Sequence, residues 1–195
     1  MDVAATFYFD LASPTAYFAA ERILAVLPGP CEWQPIRSSA LPHRESFDAY
    51  RCEADMRAAR EAISRRAQVL GLQPLVWPTP FPFDSEFAMI TATFAQRIGK
   101  CVPFALAAFR QAFAGGNSLG LVDNVLIAGA ACEMHPNAIL RAAETRGLAD
   151  ELDRVSAEAL ELGVGDVPAV RIGEEIFVGE TRLEEAAERL AVAYA

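Results

Sequence analysis

Basic residues are scarce in this chain of 195 residues. Lysine occurs once, at Lys100, and the 17 basic residues stand against 26 acidic ones, which gives a formal net charge of −9 at pH 7. Because nucleic-acid backbones are bound by basic surfaces, this balance argues against general nucleic-acid binding. Potential metal ligands are scarce as well: both histidines, His43 and His135, adjoin prolines, and no Cys or His stands at a ligand spacing. No metal site is therefore predicted.

Cysteine pairs and long apolar runs are also missing. The four cysteines are widely spaced, and no two form the Cys-x-x-Cys pattern of a redox or zinc site. They are predicted to be small buried hydrophobic residues in a reducing compartment. No apolar run approaches the roughly 20 residues that span a bilayer, and the N-terminus lacks the basic start and apolar core of a signal peptide. The sequence therefore predicts a cytoplasmic protein.

The hydrophobic pattern of the first 40 residues predicts a βαβ unit. Residues 3–11 are mostly apolar and predict a central strand. A helix follows from residue 14 to about residue 27, and residues 31–37 predict a second strand. Because a helix connects them, the two strands are expected to run parallel.

The C-terminal end predicts a second β-containing segment. Residues 167–172 and 175–178 predict a β-hairpin, and residues 181–193 predict a helix that opens with the Thr-x-x-Glu spacing of a capping box. Between the two ends, residues 47–71 and residues 84 to the 150s predict helices.

Neither β-containing end is large enough to fold alone, so the two are expected to assemble into one α/β domain. Residues 1–40 and 160–195 would form this domain, and residues 41–159 would be an inserted helical domain. The chain is 53% hydrophobic and long enough to bury such a core.

Ser13 and Pro14 mark the junction between the first strand and the first helix. Serine is a favoured N-cap residue, and proline is favoured at the first helical position. The free backbone N–H groups at a helix N-terminus attract anions. Ser13 is therefore a candidate binding residue, although a hydroxyl that only caps its helix explains the same pattern.

Residues 72–83 predict a stiff apolar loop. Within it, prolines alternate with the aromatic residues Trp77, Phe81 and Phe83, and this spacing excludes both a helix and a central strand. The loop either packs on the core or lines a pocket.

The order βαβ then ββα resembles the thioredoxin fold, and the sequence around Ser13 sharpens the resemblance. Phe9-Asp-Leu-Ala-Ser-Pro-Thr-Ala-Tyr17 resembles the start of DsbA-like proteins, whose helix opens with Cys-Pro-x-Cys; Ser13 and Ala16 stand at the two cysteine positions. The form Asp-x-x-Ser-Pro-x-x-Tyr is similar to the family of 2-hydroxychromene-2-carboxylate isomerases and kappa-class glutathione transferases. Further similar stretches are Trp33-Gln-Pro35, Phe81-Pro82, Gly165-Asp-Val-Pro168 and Phe177-Val-Gly-Glu-Thr-Arg-Leu183.

The resemblance implies a DsbA-like thioredoxin domain with glutathione as its cosubstrate. Ser13 would be the catalytic residue, because its hydroxyl would hydrogen-bond the glutathione thiolate. Val167-Pro168 would form a cis-peptide turn whose free backbone N–H and C=O pair with glutathione. Glu180 would take the amino group and Thr181 the carboxylate of the γ-glutamyl end, although Thr181 as a plain helix cap is an equal alternative. The implied glutathione-binding residues are Ser13, Thr15, Val167, Pro168, Val178, Gly179, Glu180 and Thr181.

The activity implied by the resemblance is that of an isomerase. It would act on an aromatic or otherwise apolar electrophile by reversible addition of the thiolate. The alternatives are a kappa-like glutathione transferase and a DsbA-like binding protein without redox activity. A dithiol oxidoreductase is disfavoured, because Ser13 and Ala16 carry no sulfur. A homodimer and a role in aromatic-compound catabolism are further implications.

The substrate pocket is where the chain departs from this family. The implied pocket residues are Trp33, Arg44, Trp77, Phe81 and Asp84, with Phe83 completing a flat aromatic wall. The family carries an Asn after the second strand and commonly a Lys nearby, whereas this chain has no Asn before Asn117. Alternative residues for these contacts are Ser38, His43, Arg44 and Arg51. These differences from the family argue against the acidic aromatic substrate of the isomerase more than they argue against glutathione.

Overall fold

The computed structural model describes residues 4–42 and 52–194, and its centre is a four-stranded sheet. β1 (Ala5–Phe9) and β2 (Cys31–Pro35) run parallel, whereas β3 (Ala169–Ile172) and β4 (Glu175–Val178) form an antiparallel hairpin. The strand order is β2-β1-β3-β4, with β3 antiparallel to β1. The two ends of the sequence therefore build one sheet, which confirms the predicted βαβ plus ββα plan.

The helices flank this sheet and fill the sequence between its two halves. They are α1 (Pro14–Val26), α2 (Glu53–Val69), α3 (Glu86–Arg97), α4 (Cys101–Phe113), α5 (Val122–Ala130), α6 (Pro136–Ala143), α7 (Arg146–Glu161) and α8 (Leu183–Tyr194). Short 3₁₀ turns cover Ser38–Ala40 and Glu180–Arg182. The predicted start of α2 at residue 47 lies outside the described residues. Across the two described ranges, the helices are too short or too polar to cross a membrane.

β1 is buried along its whole length, and its side chains pack into two hydrophobic clusters, one on each face of the sheet. Phe7 and Phe9 point into the larger one, between the sheet and the helices α1 and α4. Tyr8 points to the opposite face and packs with Ile36 and Val167 in a smaller cluster. This alternation follows from the two-residue period of a strand, and it explains why residues 5–9 are almost entirely apolar.

Trp33 belongs to the larger core and is almost completely buried. It pairs with Phe7 in the β1–β2 register and is only 2% exposed. Its ring lies edge-on to those of Phe7 and Phe9, with centroid distances of 4.9 and 5.8 Å. The implied role of Trp33 in the substrate pocket is therefore corrected, because this face of β2 is covered by other aromatic rings.

The helical block shares its core with the sheet. The ring of Phe109 in α4 lies 5.9 Å from that of Phe9 in β1, and Phe113 lies 5.8 Å from Tyr17 in α1. All four side chains are buried. Packing therefore runs without interruption from the sheet into the helices that the sequence inserts between its strands.

The predicted capping box at Thr181 is wrong. Glu180–Arg182 form a 3₁₀ turn without a side-chain cap, and α8 begins two residues after Thr181, at Leu183. The turn is anchored instead by Glu180, whose side chain points inward to Arg22 and Arg66. Tertiary ion pairs thus replace the local capping bond that the sequence predicts.

Candidate active-site cleft

A cleft of about 230 Å³ opens where β1 ends and α1 begins. It lies at the carboxyl ends of the parallel strands, which is where α/β folds commonly bind ligands. Four chain segments meet there: the β1–α1 loop, the turn after β2, the proline-rich loop with the start of α3, and the loop before β3. The lining residues are Asp10, Ala12, Ser13, Pro14, Arg37, Ser38, Ser39, Phe81, Pro82, Phe83, Asp84, Ser85, Glu86, Met89, Asp166 and Val167.

Ser13 is the N-cap residue of α1, as predicted. Its backbone is extended (φ −90°, ψ 116°), and its Oγ accepts a hydrogen bond from the Ala16 N–H at 3.1 Å. The Thr15 hydroxyl lies 3.0 Å from the same oxygen. When Thr15 donates this bond, the Ser13 hydroxyl proton is free to donate into the cleft. Capping and ligand binding are therefore compatible at this residue.

Asp10 holds three segments of the cleft together through hydrogen bonds to its carboxylate. The sequence did not predict this role. Its carboxylate is 3% exposed. Oδ1 accepts from the Ala12 N–H at 2.9 Å and the Ser85 hydroxyl at 3.0 Å, while Oδ2 accepts from Ser38 N–H and Oγ at 2.9 and 2.8 Å. The Ser13 N–H also donates to the Asp10 carbonyl at 3.0 Å. The feature of the sequence that could have predicted this role is an aspartate directly after an apolar strand.

The Val167–Pro168 peptide bond is cis, as the resemblance implied. Val167 is buried beside the cleft, and Pro168 accepts a hydrogen bond from the Gly179 N–H at 2.7 Å. The implication that the Val167 N–H is free requires correction, because it donates to Oδ1 of Asp166 at 2.7 Å. A ligand that pairs with this N–H would first displace the neighbouring carboxylate.

Glu180 lies away from the cleft lining and is already paired. Its side chain is 6% exposed; Oε1 lies 2.6 Å from Nε of Arg66, and Oε2 lies 3.5 Å from Nη1 of Arg22. The hydrogen bond to Glu180 raises the pKa of the Arg66 guanidinium, so this arginine is charged at every accessible pH. The start of α8 therefore presents a Glu180 carboxylate bracketed by two cations, and not a free carboxylate.

The remaining predicted glutathione residues also lie outside the cleft lining. Thr15 and Pro168 each adjoin a lining residue, whereas Val178, Gly179 and Thr181 lie at the end of β4 and the following turn. The structure thus brings Ser13 and Val167 together in the cleft. The stretch Gly179–Thr181 follows the end of β4, which pairs with the start of β3 at the same end of the sheet.

The predicted aromatic wall is divided. Phe81 and Phe83 line the cleft, and Asp84 stands beside them. Trp77 instead faces α2, where its Nε1–H donates to the Ser64 hydroxyl at 3.1 Å. The peptide bonds Thr79–Pro80 and Phe81–Pro82 are both cis. Arg44 lies outside the described residues.

Arg37 is the one basic residue among the described lining residues of the cleft. Its guanidinium is held by Asp153 at 2.6 Å and Glu86 at 3.4 Å. Of the alternative polar residues, Ser38 lines the cleft, whereas His43, Arg44 and Arg51 lie outside the described residues. Arg37 was missed because an arginine after a strand is most often a solvated surface residue.

The cleft holds hydroxyl and carboxylate groups and no thiol among its described lining residues. All four cysteines are free, and burial raises the pKa of Cys31 and Cys101 to about 12. Within residues 4–42 and 52–194, no group of three or more His, Cys, Asp or Glu side chains is placed to hold a metal ion. The arrangement suits hydrogen bonding to an anion at the start of α1.

Solved structures match the chain over nearly its whole length. 2-Hydroxychromene-2-carboxylate isomerase is similar with a TM-score of 0.84 and 20% identity, over 98% of this chain and 97% of that one. The cytosolic disulfide reductase DsbM from Pseudomonas aeruginosa, solved with GSH, gives a TM-score of 0.67 and 15% identity over 98% of each chain. The oxidoreductase DsbA from Xylella fastidiosa gives 0.58 and 11% identity, over 99% of this chain and 86% of that one.

No protein-family model and no curated protein matches the sequence. The structural matches show the fold: it is the DsbA-like thioredoxin fold, which is also the fold of 2-hydroxychromene-2-carboxylate isomerase.

Proposed function

We propose that this DsbA-like thioredoxin-fold protein is a glutathione-dependent isomerase of an aromatic or otherwise apolar electrophile. The observation that carries the proposal is the Ser13 hydroxyl, which stands at the N-terminus of α1 in the lining of the cleft. The sequence resemblance aligns this residue with the first cysteine of the Cys-Pro-x-Cys motif. The similarity to an isomerase over 98% of the chain and the GSH-containing DsbM structure support the choice of reaction and cosubstrate.

In the proposed reaction, Ser13 stabilises the glutathione thiolate. Its hydroxyl donates to the sulfur, and the N-terminal end of α1 adds a favourable electrostatic field. Both effects lower the pKa of the bound thiol and increase the fraction of nucleophilic thiolate. The thiolate adds to an electrophilic carbon of the substrate, a bond rotates in the adduct, and the thiolate leaves. Glutathione is therefore regenerated in each turnover.

We assign the glutathione backbone to the edge between Ser13 and the start of α8. Thr15, Val167 and Pro168 would contact the cysteinyl part, and Val178, Gly179 and Thr181 the γ-glutamyl end. Because Glu180 is held by Arg22 and Arg66, that end would meet a carboxylate flanked by two guanidinium groups. Such an arrangement complements an amino acid with both an ammonium and a carboxylate group.

The substrate would lie against the apolar side of the cleft. Phe81, Phe83 and Met89 are the aromatic and thioether residues of the cleft lining. Asp84 adjoins this surface and would face the polar end of the substrate. The proposal places the reaction in the cytoplasm, where glutathione keeps thiols reduced. A homodimer and a role in aromatic-compound catabolism stay predictions.

The decisive experiment measures the thiol pKa of protein-bound glutathione from the ultraviolet absorption of the thiolate. We expect a value well below the roughly 8.5 of a free cysteine thiol. Ser13→Ala should raise it towards the free value while the folded structure remains. Ser39→Ala, another serine of the cleft lining, is the matched control and should leave it unchanged. Absence of glutathione binding, or an unshifted pKa in the native protein, would refute the proposal.

A kappa-like glutathione transferase is the second candidate, because the charge of the cleft disfavours an acidic isomerase substrate. Asp10, Asp84 and Glu86 line the cleft, while Arg37 is already paired with Glu86 and Asp153. This lining suits a neutral electrophile better than an acidic one. Consumption of one glutathione per substrate identifies a transferase, and recovery of all glutathione identifies an isomerase. Binding without turnover of any electrophile would indicate the third alternative, a non-catalytic binding protein.

A further inference from the structure

A second hollow lies outside the cleft, on the exposed face of α2. Its residues share one side of the helix, because they recur at intervals of three or four positions. They are Arg57, Arg60, Glu61, Ser64, Arg65 and Gln68, and Trp77 of the proline-rich loop closes the hollow. It is a shallow depression of about 400 Å³ that is open to solvent. We call this feature the α2 hollow.

The α2 hollow is basic, although the whole chain carries a net charge of −9. Three arginines line it against a single carboxylate, that of Glu61. Arg65 reaches Glu61 only at 3.9 Å, with both side chains at least 60% exposed. Arg57 forms no ion pair with any described residue. Within the described residues, the guanidinium groups of Arg57 and Arg65 are thus exposed and not held by a close carboxylate.

The inner wall of the α2 hollow is a fixed aromatic surface. The Trp77 indole donates to the Ser64 hydroxyl at 3.1 Å, which sets the orientation of the ring. The Arg60 guanidinium lies 5.3 Å from the Trp77 ring centroid and 5.5 Å from that of Phe81, and it donates to the Phe81 carbonyl at 2.8 Å. Trp77 is nevertheless only half-buried, so part of its ring borders the open space.

We propose that the α2 hollow is a second ligand site, which binds an aromatic compound that carries a phosphate or carboxylate group. The ring would pack against Trp77, as flat apolar rings do against indole. The anionic group would accept from Arg57 and Arg65, because the planar guanidinium fork matches the geometry of phosphate and carboxylate oxygens. This site is separate from the cleft: Phe81, whose ring lies 5.5 Å from the Arg60 guanidinium, lines the cleft and not the hollow.

Tryptophan fluorescence tests this proposal directly with phenyl phosphate as the probe. Trp33 is 2% exposed in the core, so Trp77 reports on the hollow. We expect saturable quenching that is lost in Trp77→Phe. The double variant Arg57→Gln/Arg65→Gln should weaken binding by about tenfold or more. Arg154→Gln removes a similarly exposed arginine from α7 and should leave the affinity unchanged.

Two comparisons make the result decisive. Inorganic phosphate and neutral benzyl alcohol should each bind more weakly than phenyl phosphate, because each lacks one half of the recognised chemistry. Saturating glutathione should leave the phenyl phosphate affinity unchanged, since the hollow is distinct from the cleft. Equal binding of benzyl alcohol, equal binding by the Arg57→Gln/Arg65→Gln protein, or competition by glutathione would each overturn the proposal. None of these outcomes depends on whether the protein is an isomerase.

Discussion

At the scale of single residues, the cleft depends on a buried carboxylate. Asp10 has no ion-pair partner among the described residues, and its charge is balanced by four hydrogen bonds instead. These bonds tie the β1–α1 loop to the turn after β2 and to the start of α3. Because buried carboxylates are costly unless they are fully hydrogen-bonded, Asp10 fixes the relative positions of these three segments.

The substitution Asp10→Asn tests this role. Each carboxylate oxygen accepts from one backbone N–H, so an amide in either orientation points its NH₂ at a donor. We expect a loss of about 1–3 kcal/mol in the free energy of unfolding, measured with urea. Asp153→Asn, which removes an exposed carboxylate, should cost less than about 1 kcal/mol. Equal effects of the two substitutions would contradict the proposed role.

The cysteines give a second prediction at this scale. Burial raises the pKa of Cys31 and Cys101 to about 12, so both stay protonated near pH 8 and form thiolate only as the pH approaches 12. Cys132 also has a raised pKa, whereas Cys52 is exposed. We expect a disulfide reagent at pH 8 to modify one thiol rapidly, and Cys52→Ser to abolish this phase. Two fast thiols in the native protein would show that one of the cysteines with a raised pKa reacts despite its partial or full burial.

At the scale of elements, α2 is held mainly by polar contacts. Ala67 is the one residue of this helix that is fully buried. Arg66, near its end, reaches the buried Glu180, and Arg60 reaches the loop that carries Phe81. The helix is thus attached to the rest of the molecule through the two arginines Arg60 and Arg66. Arg60 also lines the α2 hollow, together with Arg57 and Arg65.

Arg66→Gln is the corresponding substitution. It leaves Glu180 with the longer contact to Arg22 alone. Because Arg66 is 38% exposed, solvent screening limits the expected loss to about 1–2 kcal/mol. Amide hydrogen exchange in α2 should accelerate. Arg65→Gln removes the neighbouring, 69% exposed arginine and should change neither quantity measurably. Unchanged exchange in the Arg66→Gln protein would show that α2 is held by other contacts.

At the scale of the whole molecule, the sheet and the helical block form one core. Phe109 touches both Phe9 of the central strand and Tyr17 of α1. The larger cluster continues through α3 to α7, so the sheet and the helical block share their main hydrophobic core. We therefore expect the protein to unfold in a single cooperative transition.

Phe109→Ala should destabilise both parts together. Removal of a fully buried ring leaves a cavity that costs about 3–5 kcal/mol. Helix content from circular dichroism and the fluorescence of core residue Trp33 should shift to the same lower midpoint. Val69→Ala is the control. Because Val69 is 75% exposed, this substitution should have almost no effect on the free energy of unfolding. Helical signal that persists after the Trp33 transition would indicate two independent domains.

Local patterns predicted the elements well and their partners less well. The strands, the hairpin and the capped start of α1 follow from residue order, because periodicity and capping depend on neighbours in sequence. Trp33 and Trp77 look alike in sequence, yet one is in the core and the other faces α2. The prediction at Thr181 failed because Glu180 has partners from α1 and α2, more than 100 positions away in the chain.

The sequence by itself determined the fold plan and the place of Ser13 at the start of α1, since these depend on local capping and on the βαβ and ββα order. The cis bond before Pro168 was expected from the family resemblance. Only the tertiary structure decided the composition of the cleft. Asp10, Ser38 and Ser85 meet there from three separate segments, and no local pattern brings them together. The same holds for the α2 hollow. The sequence predicts the helix that carries most of its residues, but the Trp77 indole beside them comes from another segment. Sites of this kind arise from packing, which brings together side chains that are distant in the chain.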